Sequence, residues 1–186
     1  ALAAIVAHKL TKYNHVAEGW PSHLAFDESK RQVLIIDQTF GDMSLVYGNA
    51  TEATFREMVL AAKRENPDSQ LWIKIHPDVL TGKKQGYLTD FLADEGILLL
   101  SEDIHPHSLL ARMDSVYVAT SQMGFEALML GKKVVTFGLP WYAGWGLTDD
   151  RNAGISALKN AGRRREATFL ELFSASYLQY CRYINP

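Results

Sequence analysis

Five short aliphatic runs, separated by helical and loop patterns, constrain the fold of this chain more than any other feature. The first, Val33–Ile36, is a continuous aliphatic stretch, as in strands buried on both faces of a parallel sheet. The others lie at 71–75, 97–100, 116–119 and 134–137. Strand and helix patterns that alternate at this spacing indicate βαβ units. The sequence therefore predicts an α/β fold, a parallel sheet with helices on both faces.

The stretches around these runs predict the helices and the domain limits. Helices are expected at 1–16, 51–65, 87–93, 106–113, 124–130 and 168–183. The polar stretch 22–31 has the composition of a linker. Because the chain does not start with Met, we expect a fragment: residues 1–31 would be a helix and linker from a missing upstream half, and 32–186 the domain itself.

Bulk composition excludes several functional classes. A net charge of −2 gives no basic surface for nucleic acid. No apolar run approaches the ~18 residues that a membrane span needs. The single cysteine, Cys181, permits no internal disulfide and fits a reducing compartment. Its apolar, tyrosine-rich surroundings predict a buried and unreactive thiol.

Polar residues crowd into the loop that follows the first predicted strand. They are Asp37, Gln38, Thr39, Asp42 and Ser44. In an open α/β sheet the carboxyl ends of strands point into a ligand-binding crevice. A carboxylate such as Asp42 can act there as a general base or a nucleophile. It can equally cap a turn, and both interpretations remain open.

Two further strand ends carry candidate ligand-binding groups. His76 follows the second run with Pro77 fixing its backbone, and its ring can face a phosphate or rest against a carbonyl. Ser121 and Gln122 precede a helix whose free N–H groups and dipole would attract an anion, although plain capping explains them too. Glu126, one turn along that helix, is placed to bind ribose hydroxyls or is simply solvated.

The loop from Pro140 to Arg151 is unusually aromatic for a solvent-exposed segment. Its tryptophans and tyrosine would wall a nucleotide or sugar pocket, or pack against a partner domain. Asp149 and Asp150 suit an ion pair with Arg151 as well as a metal, and no His or Cys pair has ligand spacing. We expect no metal and no bound cofactor.

Taken together, these stretches resemble the capsule-polysaccharide β-Kdo transferase family (KpsC/LipA-like). The motifs that carry the resemblance are D-Q-T-F-G-D-M-S at Asp37–Ser44, H-P-D-V at His76–Val79, G-K-K-Q-G-Y-L at Gly82–Leu88, T-S-Q-M-G-F-E-A-L at Thr120–Leu128 and P-W-Y-A-G-W-G-L-T-D-D-R at Pro140–Arg151. The likeness runs from about Leu10 to the end of the chain, and the last motif is long and specific.

The resemblance implies a Rossmann-like domain, the C-terminal half of a GT-B-like glycosyltransferase. Such an enzyme transfers Kdo from CMP-Kdo, with retention, to a lipid-linked oligosaccharide acceptor at the cytoplasmic face of an inner membrane, where peripheral association is expected. An upstream half of the same enzyme would complete it, so this chain alone is expected to be weakly active or inactive.

The resemblance also implies roles for individual residues. Asp42 would be the nucleophile, and His76 would hold the CMP phosphate. Ser121 and Gln122 would bind the phosphate or the Kdo carboxylate, and Glu126 the cytidine ribose. Further substrate contacts are expected from Gln38, Gly41, Lys74, Trp141 and Tyr142. Two alternatives stay open, a CDP-glycerol-type phosphotransferase and a non-catalytic docking lobe.

Overall fold

A six-stranded, wholly parallel sheet forms the centre of the molecule in the computed structural model, which describes residues 1–12, 14–16, 18–91 and 96–181. The strands are β1 (Gln32–Ile36), β2 (Gln70–Lys74), β3 (Ile97–Leu100), β4 (Ser115–Val118), β5 (Lys133–Thr136) and β6 (Asp149–Asp150). The predicted parallel α/β fold is confirmed. All five predicted strands are present, each displaced by at most one residue, whereas β6 was missed because two aspartates carry no strand pattern.

The strand order β3-β2-β1-β4-β5-β6 places β1 between the two halves of the sheet. Ile35 pairs with Ile73 of β2 on one side and with Tyr117 of β4 on the other. The chain therefore reverses its direction of winding beside β1, and such a switch point opens a crevice at the carboxyl edge of the sheet. The loops after β2, β1 and β4 leave that edge side by side.

Eight α-helices connect and cover the strands in the part of the chain that the structure describes. They are α1 (Leu2–Ala7), α2 (Met43–Tyr47), α3 (Glu52–Glu65), α4 (Pro77–Leu80), α5 (Pro106–Ala111), α6 (Met123–Met129), α7 (Gly154–Asn160) and α8 (Phe169–Phe173), which continues as a π-helix over Ser174–Tyr180. The sequence patterns did not predict α2, α4 and α7. Within the described ranges, no helix has the length and apolar character needed to cross a membrane.

Three predicted helices include residues that the structure does not describe, and in the first of them, predicted at 1–16, residue 13 is the one concerned. Of the helix predicted at 87–93, a 3₁₀ turn at Thr89–Phe91 is present, and 92–95 lie outside the described residues. The last predicted helix, 168–183, corresponds to α8 and its π-helical continuation, while 182–186 lie outside.

Alternate residues of β1 point into two separate hydrophobic clusters. Val33 and Ile35 join the buried residues of α3, including Phe55. Leu34 and Ile36 join a cluster with residues of α5, α6 and α8 on the opposite face. This period of two is the geometry of an extended strand, and it confirms that helices cover both faces of the sheet.

The first helix is much shorter than predicted. It ends at Ala7 instead of near residue 16, since Lys9 adopts a left-handed conformation with φ of 50°. The Leu10 N–H then bonds back to the Ile5 carbonyl at 2.9 Å, which closes the helix in a Schellman-type turn. The apolar pattern that predicted the longer helix continues beyond Lys9, but the backbone changes direction at this residue.

The stretch expected to be a polar linker packs against the sheet. Trp20 and Phe26 contact Trp72 of β2, and the Asp27 N–H donates to Gln70 at 2.9 Å. Arg112 covers the rings of both Trp20 and Phe26. The segment is therefore anchored to this domain. Its connection to an upstream half stays a prediction.

The prediction of a buried cysteine was wrong. Cys181 follows the π-helix directly and is exposed. Its tyrosine-rich neighbourhood is not a core, because Tyr180 itself is largely exposed.

Candidate functional site

The predicted site residues converge on one edge of the sheet because three neighbouring strands end there. The loop with Asp42 follows β1, His76 follows β2, and Ser121 follows β4. Since β2, β1 and β4 are adjacent and parallel, their carboxyl ends share an edge, with about 5 Å between neighbouring strands. The topology thus places these three residues at the mouth of one crevice.

A hydrogen-bonded group with a buried centre, which we call the polar knot, joins the loops after β1 and β4. It consists of Gln38, Asp42, Ser44 and Thr120. The Gln38 amide nitrogen donates to Asp42 Oδ2 at 3.1 Å and to Thr120 Oγ1 at 3.0 Å. Its oxygen accepts from the Thr120 N–H at 2.9 Å, and the Ser44 and Thr120 hydroxyls are 2.8 Å apart. Gln38 is only 7% exposed, so the amide that holds Asp42 is itself enclosed by protein.

Asp42 itself is half-buried and ionised. Its Oδ1 accepts the Ser44 N–H at 2.9 Å, so the residue caps α2 as one interpretation predicted. Burial raises its pKa, but hydrogen bonds from Ser44 and Gln38 and the charge of Lys12 outweigh burial, and the pKa lies below its ordinary value. Gly41, with φ of +82°, makes the sharp turn that turns Asp42 towards the crevice edge. A fixed, ionised carboxylate suits a nucleophile.

A second, more open group surrounds His76, and we call it the histidine cluster: His76, Asp78, Lys84 and Lys74. The Nδ1 atom of His76 accepts the Asp78 N–H at 3.1 Å, and Lys84 Nζ lies 3.2 Å from the Asp78 carboxylate. Burial lowers the pKa of His76 below its ordinary value; the charge of Asp78 opposes this shift, and the charges of Lys84 and Lys74 reinforce it. The ring is therefore neutral at neutral pH and carries its proton on Nε2, because Nδ1 is an acceptor. An Nε2–H group is suited to donate to a phosphate oxygen.

Lys74 occupies the end of β2 at the edge of this cluster. Burial lowers the pKa of its amine, while Asp103 and Glu102 oppose the shift. Its Nζ donates to the Ile75 carbonyl at 3.1 Å. The charge of Lys74 acts on His76, so the two predicted site residues lie in one electrostatic environment.

The helix end at α6 differs from the expected anion site. The helix has seven residues, and its first N–H groups are already paired: Met123 donates to Ser121 Oγ, and Gly124 to the Ser121 carbonyl. Phe125 and Glu126 donate to the Gln122 carbonyl. A tight first turn uses the amides of residues 123–126, and the anion site at this helix end stays a prediction. The side chains of Ser121 and Gln122 remain candidates.

Glu126 is not a solvated helix residue. It is only 7% exposed, and the hydroxyl of Thr11 donates to its Oε1 at 2.8 Å. Burial raises the pKa of Glu126, while Thr11 and the charge of Lys12 oppose the shift. The N-terminal segment thus reaches the site across 115 positions of sequence, a contact that no local pattern could reveal.

The aromatic loop packs against its own domain. Tyr142 is fully buried, and its hydroxyl donates to the Ser121 carbonyl. Its predicted role as a substrate contact is therefore replaced by a supporting one. Trp141 is partly exposed, stacks near Phe125 and donates to Gln122 at 3.1 Å, which leaves it at the rim of the site. Neither a ligand nor a partner domain is needed to explain why this loop is aromatic.

Two arginines, Arg164 and Arg151, contact the rest of the aromatic loop. Arg164 donates to the Ala143 carbonyl at 2.8 Å and covers the Trp145 ring. Arg151 forms the predicted ion pair with Asp149 at 2.7 Å and also binds Glu65 at the end of α3. No group of three or more metal-ligating side chains occurs among the described residues.

Comparison with known proteins gives a consistent picture. Residues 1–183 match the family described as "Capsule polysaccharide biosynthesis protein". The chain is 54% identical to the capsule polysaccharide modification protein LipA of Neisseria meningitidis over 187 residues, which cover 100% of the chain and 27% of LipA. It is 38% identical to the lipopolysaccharide-processing protein LpsZ of Rhizobium meliloti, covering 98% of the chain and 40% of LpsZ.

Among solved structures, the chain is similar to Thermosulfurimonas dismutans KpsC, a beta Kdo 2,4 transferase. The TM-score is 0.87 at 46% identity, and the match covers 100% of this chain and 55% of that one. This chain therefore spans about half of the solved relative and 27% of LipA.

Proposed function

The chain belongs to the capsule polysaccharide biosynthesis protein family, and from this premise we propose that it forms the donor-binding half of a retaining β-Kdo transferase. Its GT-B-like domain would bind CMP-Kdo at the carboxyl edge of the sheet. The observation that carries the proposal is that Asp42, held by Gln38 and Ser44, follows β1 while His76 follows the adjacent parallel strand β2, so that both lie at the carboxyl edge of the sheet. The similarity to the KpsC transferase supports it.

Retention of configuration is explained by two successive displacements. In the first, an Asp42 carboxylate oxygen forms a bond to the anomeric carbon of Kdo as the bond to the CMP phosphate oxygen breaks. The electron pair leaves with CMP. In the second, an acceptor hydroxyl attacks the same carbon, releases Asp42 and loses its proton to solvent. Gln38 and Ser44 hold the carboxylate in place for both steps.

The remaining residues would bind and orient the donor. The Nε2–H of His76 donates to the CMP phosphate and stabilises the charge that develops on it. The Lys74 amine adds positive charge nearby, and Ser121 and Gln122 contact the phosphate or the Kdo carboxylate. Glu126 binds the ribose hydroxyls. No step in this scheme uses a metal ion.

The proposed partners follow from the same assignment. The acceptor would be a lipid-linked oligosaccharide, and an upstream half of the enzyme would supply most of its contacts. The place of action would be the cytoplasmic face of the inner membrane, with peripheral association. We accordingly expect this chain alone to bind CMP but to transfer Kdo weakly.

Intact mass spectrometry tests the nucleophile directly. The transferase module that contains this chain, incubated with CMP-Kdo without acceptor, should gain the mass of one Kdo residue. Asp42→Asn should abolish the adduct, because an amide cannot attack the anomeric carbon, while binding of CMP persists. An adduct that survives Asp42→Asn would assign the nucleophile to another residue.

Ligand binding separates this proposal from the two alternatives. CMP and CMP-Kdo should raise the melting temperature of the protein more than CDP-glycerol does. The reverse order would favour a phosphotransferase. A docking lobe would respond to none of the three nucleotides, and Asp42→Asn would leave the activity of the whole enzyme unchanged.

A further inference from the structure

Asp37, the first residue after β1, received no role from sequence, yet it occupies the junction between the two halves of the site. Its side chain is buried, with 6% of its surface exposed. One oxygen, Oδ1, accepts two backbone N–H groups, from Gln38 at 2.9 Å and from Tyr87 at 3.0 Å. The other, Oδ2, is enclosed and makes no close hydrogen bond within the described residues, although the Leu88 N–H lies near enough to lower the pKa of the carboxyl. A buried carboxylate with a poorly paired oxygen is costly, so its presence at this position calls for an explanation.

The two amides belong to two different loops. Gln38 begins the loop that carries Asp42. Tyr87 lies in the loop with Lys84, whose amine pairs with Asp78 beside His76. A single carboxylate oxygen therefore joins the loop of the proposed nucleophile to the loop that contacts the histidine cluster.

Further contacts bring the same two loops together. The Phe40 N–H donates to the Gln85 carbonyl at 2.7 Å, and Thr39 forms an isolated antiparallel bridge with Gly86. Any Cβ at position 86 would overlap Asp37 Oδ2, so only glycine permits this close approach. The rings of Phe40 and Tyr87 stack with their centroids 4.7 Å apart. Asp37 lies at the buried end of this contact between the two loops.

We propose that Asp37 is a positioning residue that holds the Asp42 loop and the Lys84 loop in one fixed arrangement, so that nucleophile and phosphate-binding groups meet the same donor. The inference deepens the proposed function and rests on it for the catalytic consequence, although the joining of the two loops stands on the contacts alone. Burial raises the pKa of Asp37 to about 6, so the group is largely ionised at neutral pH and accepts both N–H groups as a carboxylate.

Three variants test this, with hydrogen exchange as a readout that needs no donor. Asp37→Ala removes the acceptor and should accelerate exchange at the Gln38 and Tyr87 amides by about tenfold or more. Asp37→Asn keeps Oδ1 and should preserve most of that protection. Asp114→Ala is the matched control, because Asp114 accepts the Gln32 N–H at 2.7 Å at the opposite end of β1. It should accelerate exchange at Gln32 alone.

Kinetics of the transferase module provide the second readout. Asp37→Ala should lower kcat by about tenfold or more, since small displacements of reacting groups are costly, and should change the Kd of CMP much less. Asp37→Asn should restore most of the rate, and Asp114→Ala should leave it near wild type.

Equal losses of kcat in Asp37→Ala and Asp114→Ala at equal loss of melting temperature would overturn the proposal, because they would show a structural role only. Unchanged exchange at Tyr87 in Asp37→Ala would overturn it as well. If the wild-type protein binds no CMP, the proposed function fails, whereas the exchange experiment still decides whether Asp37 joins the loops.

Discussion

The polar knot and the histidine cluster lie on neighbouring strand ends but are built in different ways. In the knot, Gln38 and Thr120 are buried, and their side-chain polar atoms are hydrogen-bonded to each other. In the histidine cluster, Lys84 and Asp78 form a partly exposed ion pair, and Lys74 is the more buried charge. The knot fixes a carboxylate before any ligand arrives, while the cluster offers donors and charge that solvent screens.

This difference predicts how each region responds to substitution. Buried hydrogen-bonded groups are expensive to leave unpaired, so changes in the knot should reduce both stability and catalysis. Exposed charges contribute little to folding, so changes in the cluster should affect donor binding and transfer more than stability. Under the proposed function, the chain thus separates the placement of the nucleophile from the binding of the donor.

The largest contrast is expected between two carboxylates. Asp42→Asn should reduce the rate of Kdo transfer by at least about a thousandfold, because the nucleophile is lost. Asp78→Asn removes a charge of the same sign at the next strand end and should cost about tenfold or less. Initial rates of the transferase module with CMP-Kdo compare the two, and similar losses would remove the distinction between the regions.

The next largest effect concerns the pH dependence of folding at Asp37. Burial raises its pKa from the ordinary 3.8 to about 6. A raised carboxyl pKa means that stability is lost as pH rises through the interval between about 4 and 6, because the native state resists ionisation. Tyr87 remains protonated here, since burial and the charges of Asp37 and Asp42 raise its pKa.

The free energy of unfolding of the wild type should therefore fall by about 3 kcal/mol relative to that of Asp37→Asn over that interval. A pKa difference of about 2.2 corresponds to roughly this free energy. Urea unfolding at pH 4, 5, 6 and 7 measures it. Asp114→Asn, at the opposite end of β1, should follow the wild-type curve. Parallel curves for wild type and Asp37→Asn would contradict the expectation.

A smaller loss is expected within the knot. Thr120→Val keeps the shape of the side chain but removes the hydroxyl that accepts from Gln38 and contacts Ser44. The buried amide then lacks one partner, and we expect a loss of about 2 kcal/mol in the free energy of unfolding. Equilibrium urea denaturation measures this loss. Ser29→Ala, in an exposed turn, serves as the hydroxyl-deletion control.

The smallest effect should come from the histidine cluster. Lys84→Met breaks the exposed pair with Asp78 and should change stability by less than about 1 kcal/mol. Affinity for CMP should fall a few-fold at low salt, and this difference should shrink as added salt screens the charge. Calorimetric titration at two salt concentrations measures it. A large loss of stability would show that the cluster is built like the knot.

Much of the fold was determined by sequence. Aliphatic runs such as Val33–Ile36 located each of the five longer strands within a residue, since burial on both faces demands such runs. Thr51 and Asn66 correctly marked the ends of α3. Polar residues at the ends of β1, β2 and β4 indicated which edge would carry the site.

Other features were decided by the tertiary structure. Gln38 meets Thr120 across 82 positions, and Thr11 meets Glu126 across 115. Such pairs depend on the strand order and register, which local periodicity does not encode. The burial of Tyr142 has the same explanation. Its aromatic loop packs into the domain core, whereas the sequence equally favoured a ligand pocket. Local pattern determined which residues are buried or polar, and the packing of distant segments determined which of them meet.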